Sequence, residues 1–186
     1  MPEAFLGDGL VFEEALPIGW TEGALAEGLV LARLNADNHQ LLSAESSLDE
    51  VRVHEALKDE SPALVHELQR LEYKMNILLR LTAELSLRNS GLPAAQRVRL
   101  TSRALEWFGE QTPAVGSTGL LAVYINSALP QAVKIPCEVA GERTQDNVRV
   151  AQMRFRGLSD AVVEQLDKLI FRHHRRLVAG ARLAAN

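Results

Sequence analysis

The hydrophobic pattern of the chain changes period at Gly91. Ahead of it, Leu64, Leu68, Leu71, Met75, Leu78, Thr82 and Leu85 alternate spacings of four and three. That is a heptad seam, with Leu64, Leu71, Leu78 and Leu85 at d and Leu68, Met75 and Thr82 at a. Ser61-Pro62 marks a helix start, as N-cap and first helical residue, and "NSGLP" marks its stop, with Gly91 suited to the left-handed position after the last turn. The pattern predicts one helix over 62–89, roughly 42 Å long at 1.5 Å per residue. An earlier helical stretch runs from Thr21 to Leu42, with Leu25, Leu29, Ala32 and Ala36 on one stripe and Val30, Leu34 and Leu41 on a second. A polar connection, 43–60, joins the two.

After Pro93 the period is two. "RVRLTSRALEW" (97–107), "GLLAVYIN" (119–126), "AVKIPCEVA" (132–140) and "VRVAQMRF" (148–155) read as strands, the last following a turn at Asp146-Asn147. In the third, Val133, Ile135, Cys137 and Val139 share the inward face, with Lys134 and Glu138 outside. A further strand lies in the 10–20 region, and Pro17 is expected to end it, since proline cannot donate to a ladder. A closing helix over 159–183 starts at Ser159-Asp160 and carries Val162, Val163, Leu166, Leu169, Ile170, His173 and Leu177 on one face. The expected fold is α+β and a single domain over 1–186: a small antiparallel barrel with staves in 10–20 and 95–156, helices inserted over 21–91, and a C-terminal helix.

The seam has two readings. It packs on the chain's own sheet or first helix, or it joins copies of the chain. The helix is long for a domain of 186 residues, and Ile77, Leu79 and Leu81 widen the apolar face beyond a two-stranded seam. The a positions also lack the β-branched apolar residues that favour dimers. A homo-oligomer is expected, a tetramer rather than a dimer.

Composition narrows the function. The net charge of −4 gives no reason to expect nucleic-acid binding. Cys137 is the lone cysteine, so no intrachain disulfide can form, and a cytoplasmic, reducing setting is expected. The N-terminus lacks a signal-peptide pattern, and no apolar run approaches a membrane span. Chemistry is sparse. His173 and His174 are adjacent on a helix, "HELQR" has Arg70 where a zinc-protease motif needs its second histidine, and "GSTGLL" lacks the Lys of a phosphate loop. Ser117 has no nucleophile elbow, and Cys137 sits on an apolar strand face. No catalytic residue, metal or cofactor is expected, and the chain does not read as an enzyme.

From Arg97 to Val178 the chain resembles the PilZ domain family, on "RLTSRALEWF", "LPQAVKIPCEV", "VRVAQMRFRGLSDA" and "LDKLIFRHHRR". The resemblance implies an antiparallel barrel closed by a C-terminal helix; many members are receptors for the bacterial second messenger cyclic di-GMP. Receptors in the family carry R-x-x-x-R ahead of the barrel and [D/N]-x-S-x-x-G on an early strand. Here Arg99, Thr101 and Ala104 stand at the Asp/Asn, Ser and Gly positions. The two R-x-x-x-R matches, Arg99–Arg103 and Arg172–Arg176, do not precede the barrel. The helices over 21–91 resemble those of a divergent subgroup, in which inserted helices mediate self-assembly and the ligand motifs are degraded. The resemblance implies an oligomeric adaptor in cyclic di-GMP-linked processes such as motility, type IV pili or virulence. Its partner would be another signalling or pilus-related protein. The alternative is a receptor with a rearranged site built from Arg97, Arg99, Arg103 and the C-terminal arginines.

Overall fold

The computed structural model describes residues 5–7, 9–49, 64–68, 70–71, 73–75, 77–78, 81–82, 91–125 and 131–184. In chain order these form β1 (Phe12–Glu22), α1 (Gly28–Asp49), a helical stretch α2 whose described residues lie between 64 and 82, β2 (Ala95–Leu100), β3 (Ala104–Phe108), β4 (Thr118–Val123), β5 (Val133–Gln145), β6 (Val148–Phe155) and α3 (Asp160–Ala184). The six strands close into an antiparallel barrel in the order β1-β2-β3-β6-β5-β4. Leu85 and the expected ends of the long helix, 62 and 89, lie outside the described residues.

The alternation read in the sequence is the alternation that fills the barrel. Val98, Leu100, Leu105, Leu121, Val123, Val133, Ile135, Cys137, Val139 and Met153 are each at most 1% exposed, so each strand gives one face to a shared apolar core. Asp146 and Asn147, both at positive φ, make the tight β5–β6 hairpin. A bulge between Val139 and Gly141 shifts the register of that pair.

β1 does not stop at Pro17. Residues Phe12–Pro17 pair with β2, and Ile18–Glu22 pair with β4. Pro17 is the last residue on the β2 side, where its missing N–H interrupts no ladder, and its carbonyl accepts from the Tyr124 amide (3.0 Å). On the β4 side the strands come close: a Cβ on Gly119 would stand 2.3 Å from the Thr21 carbonyl oxygen.

The 97–107 segment is likewise two strands. The Thr101 amide donates to the Ala104 carbonyl (2.9 Å), and Thr101 Oγ1 accepts from the Ala104 amide (3.1 Å), which turns the chain between β2 and β3 without glycine or proline.

α1 starts later than the hydrophobic pattern suggested, because β1 continues to Glu22. Its inward face also differs. Leu29 and Val30 are exposed, whereas Asn38 and Leu42 are buried. Asn38 makes a two-way amide clamp on the β5 backbone, donating to the Lys134 carbonyl (2.8 Å) and accepting from the Lys134 amide (2.9 Å). One turn earlier, Asn35 does the same in the β6–α3 connection, donating to Gly157 (2.9 Å) and accepting from Ser159 (2.9 Å). Ser159 in turn begins α3: its carbonyl accepts from the Val163 amide (3.0 Å). α3 buries Val162, Leu166, Leu169 and Ile170, and His173 stacks on Phe12 with ring centroids 4.0 Å apart. Leu177, expected on that face, is exposed. No helix of the described residues is long and apolar enough to cross a membrane.

Cys137 is fully buried, and burial pushes its thiol well above the ordinary range. A thiol reagent at neutral pH should label it only on the timescale of unfolding, and at once in denaturant. Fast labelling of the folded protein would show that this strand face is open to solvent.

Candidate functional site

The outer wall of the barrel carries a row of charged side chains whose order follows from the strand register. Glu13 pairs with Arg99, Arg99 with Glu106, and Glu106 with Gln152, across β1, β2, β3 and β6. Cross-strand partners share a face, so these groups meet on the outside of the barrel. Arg143 of β5 reaches the row from beyond the bulge.

Glu106 is the centre of the row, with its side chain only 4% exposed. One carboxylate oxygen accepts from Arg143 Nε (3.1 Å) and Gln152 Nε2 (3.3 Å), the other from Arg99 Nη1 (3.1 Å) and Arg143 Nη2 (3.0 Å). Burial alone raises the Glu106 pKa. The hydrogen bonds from Arg143 and Gln152, with the charges of Arg143 and Arg99, outweigh it and hold the acid below its usual value. Next to it, Arg97 pairs with Glu13 at 2.6 Å and lies over the Phe108 ring, 4.6 Å from its centroid, with Arg143 at 5.9 Å from the same ring. The three guanidiniums of Arg97, Arg99 and Arg143 are thus held by two carboxylates and one ring.

The three motif positions are all engaged inside the fold. Arg99 is tied to Glu106 and lies 3.6 Å from Glu13, Thr101 uses its hydroxyl in the β2–β3 turn, and Ala104 is buried as the first residue of β3. Arg103 stands on the turn, so it does not share a strand with Arg99; the 97–107 segment, read as one strand, reverses at Thr101–Arg103. Arg172 and Arg176 are on α3. Sequence reasoning missed Glu106, Arg143 and Gln152. The available signal was Glu106 itself, an acid set among Leu105, Trp107 and Phe108 in a strand with no exposed position. Among the described residues, no group of His, Cys, Asp and Glu could hold a metal ion.

The second candidate surface is α2. Leu64, Leu68, Leu71, Met75, Leu78 and Thr82, the described residues of the heptad seam, are all exposed, Met75 by 62% and Leu78 by 61%. Tyr73 and Leu81 are exposed beside them. This is far more apolar surface than scattered single residues present.

The Glu106 network makes a sharp statement about stability. A carboxylate whose folded pKa is depressed contributes stability above its unfolded pKa and loses it as pH falls through the folded value. Glu106→Gln leaves Arg99 and Arg143 without their anion and should lower unfolding free energy by about 1–3 kcal/mol at pH 7. The difference should shrink as the pH drops below the usual carboxylate range, where wild-type Glu106 becomes neutral as well. Denaturant titrations across pH would show it, and a gap that stayed constant into acid would place the stabilisation elsewhere.

Comparison with known proteins gives three findings. A solved structure matches with a TM-score of 0.74 and 23% identity, covering 92% of each chain; it is described as a pathogenic protein from Xanthomonas campestris, a new tetrameric PilZ domain self-assembled via an unusual helical bundle. That likeness establishes the shared fold. Among curated proteins none matches significantly. The family model for the atypical PilZ domain, described as a cyclic di-GMP receptor, matches residues 42–183, spanning five of the six staves and α3. The chain belongs to the atypical PilZ domain family of cyclic di-GMP receptors.

Proposed function

We propose that this chain is a self-assembling, non-enzymatic PilZ adaptor of the cytoplasm, joined to its own copies through α2. The observation that carries the reading is the exposed stripe of Leu64, Leu68, Leu71, Met75 and Leu78 on a helix that also exposes Leu81. A single chain in water does not keep such a stripe uncovered at low cost. Burying a side chain of this size is worth ~1.5–3 kcal/mol, and several per copy suffice for stable association. A bundle covers the stripe and the widening residues together, which supports a tetramer over a dimer, and the related Xanthomonas protein is described as a tetramer assembled via a helical bundle.

In this reading the barrel does not hold cyclic di-GMP through the family's usual motif. The support is electrostatic. Arg99, standing where an acceptor side chain belongs, is held by Glu106, and Thr101 and Ala104 are used by the turn. A ligand phosphate arriving at Arg97 or Arg99 must displace Glu13 or Glu106 before it gains a charge-assisted bond. The processes served would be the cyclic di-GMP-linked ones of the family, among them motility, type IV pili and virulence, through a signalling or pilus-related partner.

Two measurements test this. Sedimentation at tens of micromolar, an order-of-magnitude working range, should show a tetramer, and Leu71→Glu with Leu78→Glu should give monomers with their β-sheet signal intact. A monomeric wild type would end the assembly reading. Calorimetry with cyclic di-GMP should give no binding tighter than about 100 μM, a free energy of roughly −5 kcal/mol. A sub-micromolar constant would instead favour the rearranged arginine-rich receptor.

A further inference from the structure

The arginines of the barrel fall into two groups. Arg97, Arg99, Arg143, Arg149 and Arg156 each face a carboxylate, supplied by Glu13, Glu106, Glu142 or Glu138. Arg103 and Arg154 face none among the described residues. The Arg154 guanidinium lies 5.9 Å from the centroid of the Phe5 ring, a weak contact at that distance.

Both of these arginines stand at the same place. Arg154 pairs with Ala104 across β3 and β6, and the Phe155 amide donates to the Arg103 carbonyl (3.0 Å), so the β2–β3 turn and the end of β6 are fixed side by side. A cleft of about 520 Å³ opens there, walled by Arg103, Arg154 and Arg156 with Phe5 and Leu158. A second, of about 450 Å³, lies against the same turn and shares Leu6, Thr101, Ser102 and Arg103 with the first; Leu10, Ile170 and Phe171 complete its apolar wall. Leu10 and Phe171 are 43% and 52% exposed. Because they share Leu6 and the turn residues, we read the two clefts as one trough along the turn, with Arg154 and Arg156 lining only the β6 part and Leu10, Ile170 and Phe171 only the α3 part.

We propose that this trough binds an extended acidic segment of a partner protein, with an Asp or Glu side chain between Arg103 and Arg154 and an apolar side chain on the Leu10–Phe171 wall. Guanidinium groups present paired donors that match a carboxylate. The chain as a whole carries a net charge of −4, so an acidic partner is attracted by this local pair rather than by the molecule at large. Asp167 lies in the apolar cleft and repels a second acid there, which fixes the direction of the segment: acid at the β6 end, apolar residue at the α3 end. A free phosphate would engage the cations and leave the apolar wall in water. An extended peptide covers both, with alternate side chains in separate pockets. The assignment deepens the adaptor reading, on which it rests, by giving the partner's chemistry, and it uses no residue of α2.

The test is selection of a random dodecapeptide phage library on the full-length protein, followed by fluorescence polarisation with the most enriched peptide. The enriched peptides should carry Asp or Glu two residues from a large apolar residue, the spacing that puts both side chains on one side of an extended chain. Arg103→Gln with Arg154→Gln should weaken the peptide about a hundredfold, from two lost charge-assisted bonds, and replacing its acid by the amide should do the same. Both arginines are exposed and make no fold-holding contact, so the variant should melt like wild type; Arg103→Gln alone, expected to lose about tenfold, serves if it does not. The Leu71→Glu, Leu78→Glu monomer should keep the affinity, which separates this site from the assembly. Failure to enrich acidic peptides, or affinity unchanged by the arginine variants, overturns the proposal. Displacement of the peptide by micromolar cyclic di-GMP, with the arginine variants weakening the nucleotide equally, overturns it in favour of a nucleotide site.

Discussion

Everything else in this molecule depends on β1 pairing with two strands at once. Without β1 the remaining strands form an open sheet, β2-β3-β6-β5-β4, with an unpaired edge at each end. β1 gives its first half to β2 and its second half to β4, and the hand-over falls at Pro17, the one residue that has no amide hydrogen to lose. The consequence reaches the insertion. The helices lie between β1 and β2, and these two strands are neighbours, so the ends of a long excursion are held together by a ladder already required for closure. Loop-closure entropy rises only with the logarithm of length, so an insertion between paired staves adds little to what a short connection would cost. A barrel of this kind can carry helices of any length at this point without loss to its core.

The outer wall shows the same economy of charge. An acid with a nearly buried side chain survives in a strand only if its partners are fixed, and here four donors meet its two oxygens. The network spans β2, β3, β5 and β6, so it also pins their register from outside while apolar side chains do so from within. Arg99 therefore has a structural occupation in the barrel wall. By contrast Arg103, on the turn a few residues away, faces no carboxylate among the described residues.

Much of the barrel was legible where inward apolar residues alternate with polar ones, as Val133, Ile135, Cys137 and Val139 do with Lys134 and Glu138 on β5. The C-terminal helix was legible through Ser159 and the spacing of Val162, Leu166 and Leu169. What was not legible failed for identifiable reasons. The β2–β3 turn is made by a threonine hydroxyl and carries neither glycine nor proline, so the pattern ran through it. Pro17 read as a stop because a sequence does not say where a strand changes partner. The inward face of α1 was hidden because its anchors, Asn35 and Asn38, are polar and count as solvent-facing in any hydrophobic pattern. At the candidate surfaces, single residues such as Arg99 were nameable, but their partners on other strands were not, since pairing is a property of register rather than of local sequence.

Those two asparagines explain why α1 stands in a defined relation to the barrel. An apolar contact tolerates sliding by a fraction of a turn with little loss, whereas a carboxamide that both donates to and accepts from one backbone position has a single docking geometry. Asn38 grips Lys134 in β5, and Asn35 grips the Gly157–Ser159 connection leading into α3. Gly157 holds positive φ, and a Cβ there would come within 2.7 Å of Leu31, so α1 also approaches as closely as the backbone permits. The clamp thus ties α1 at once to a stave and to the start of the closing helix. In this chain the polar residues of α1 fix that helix against both the barrel and the closing helix.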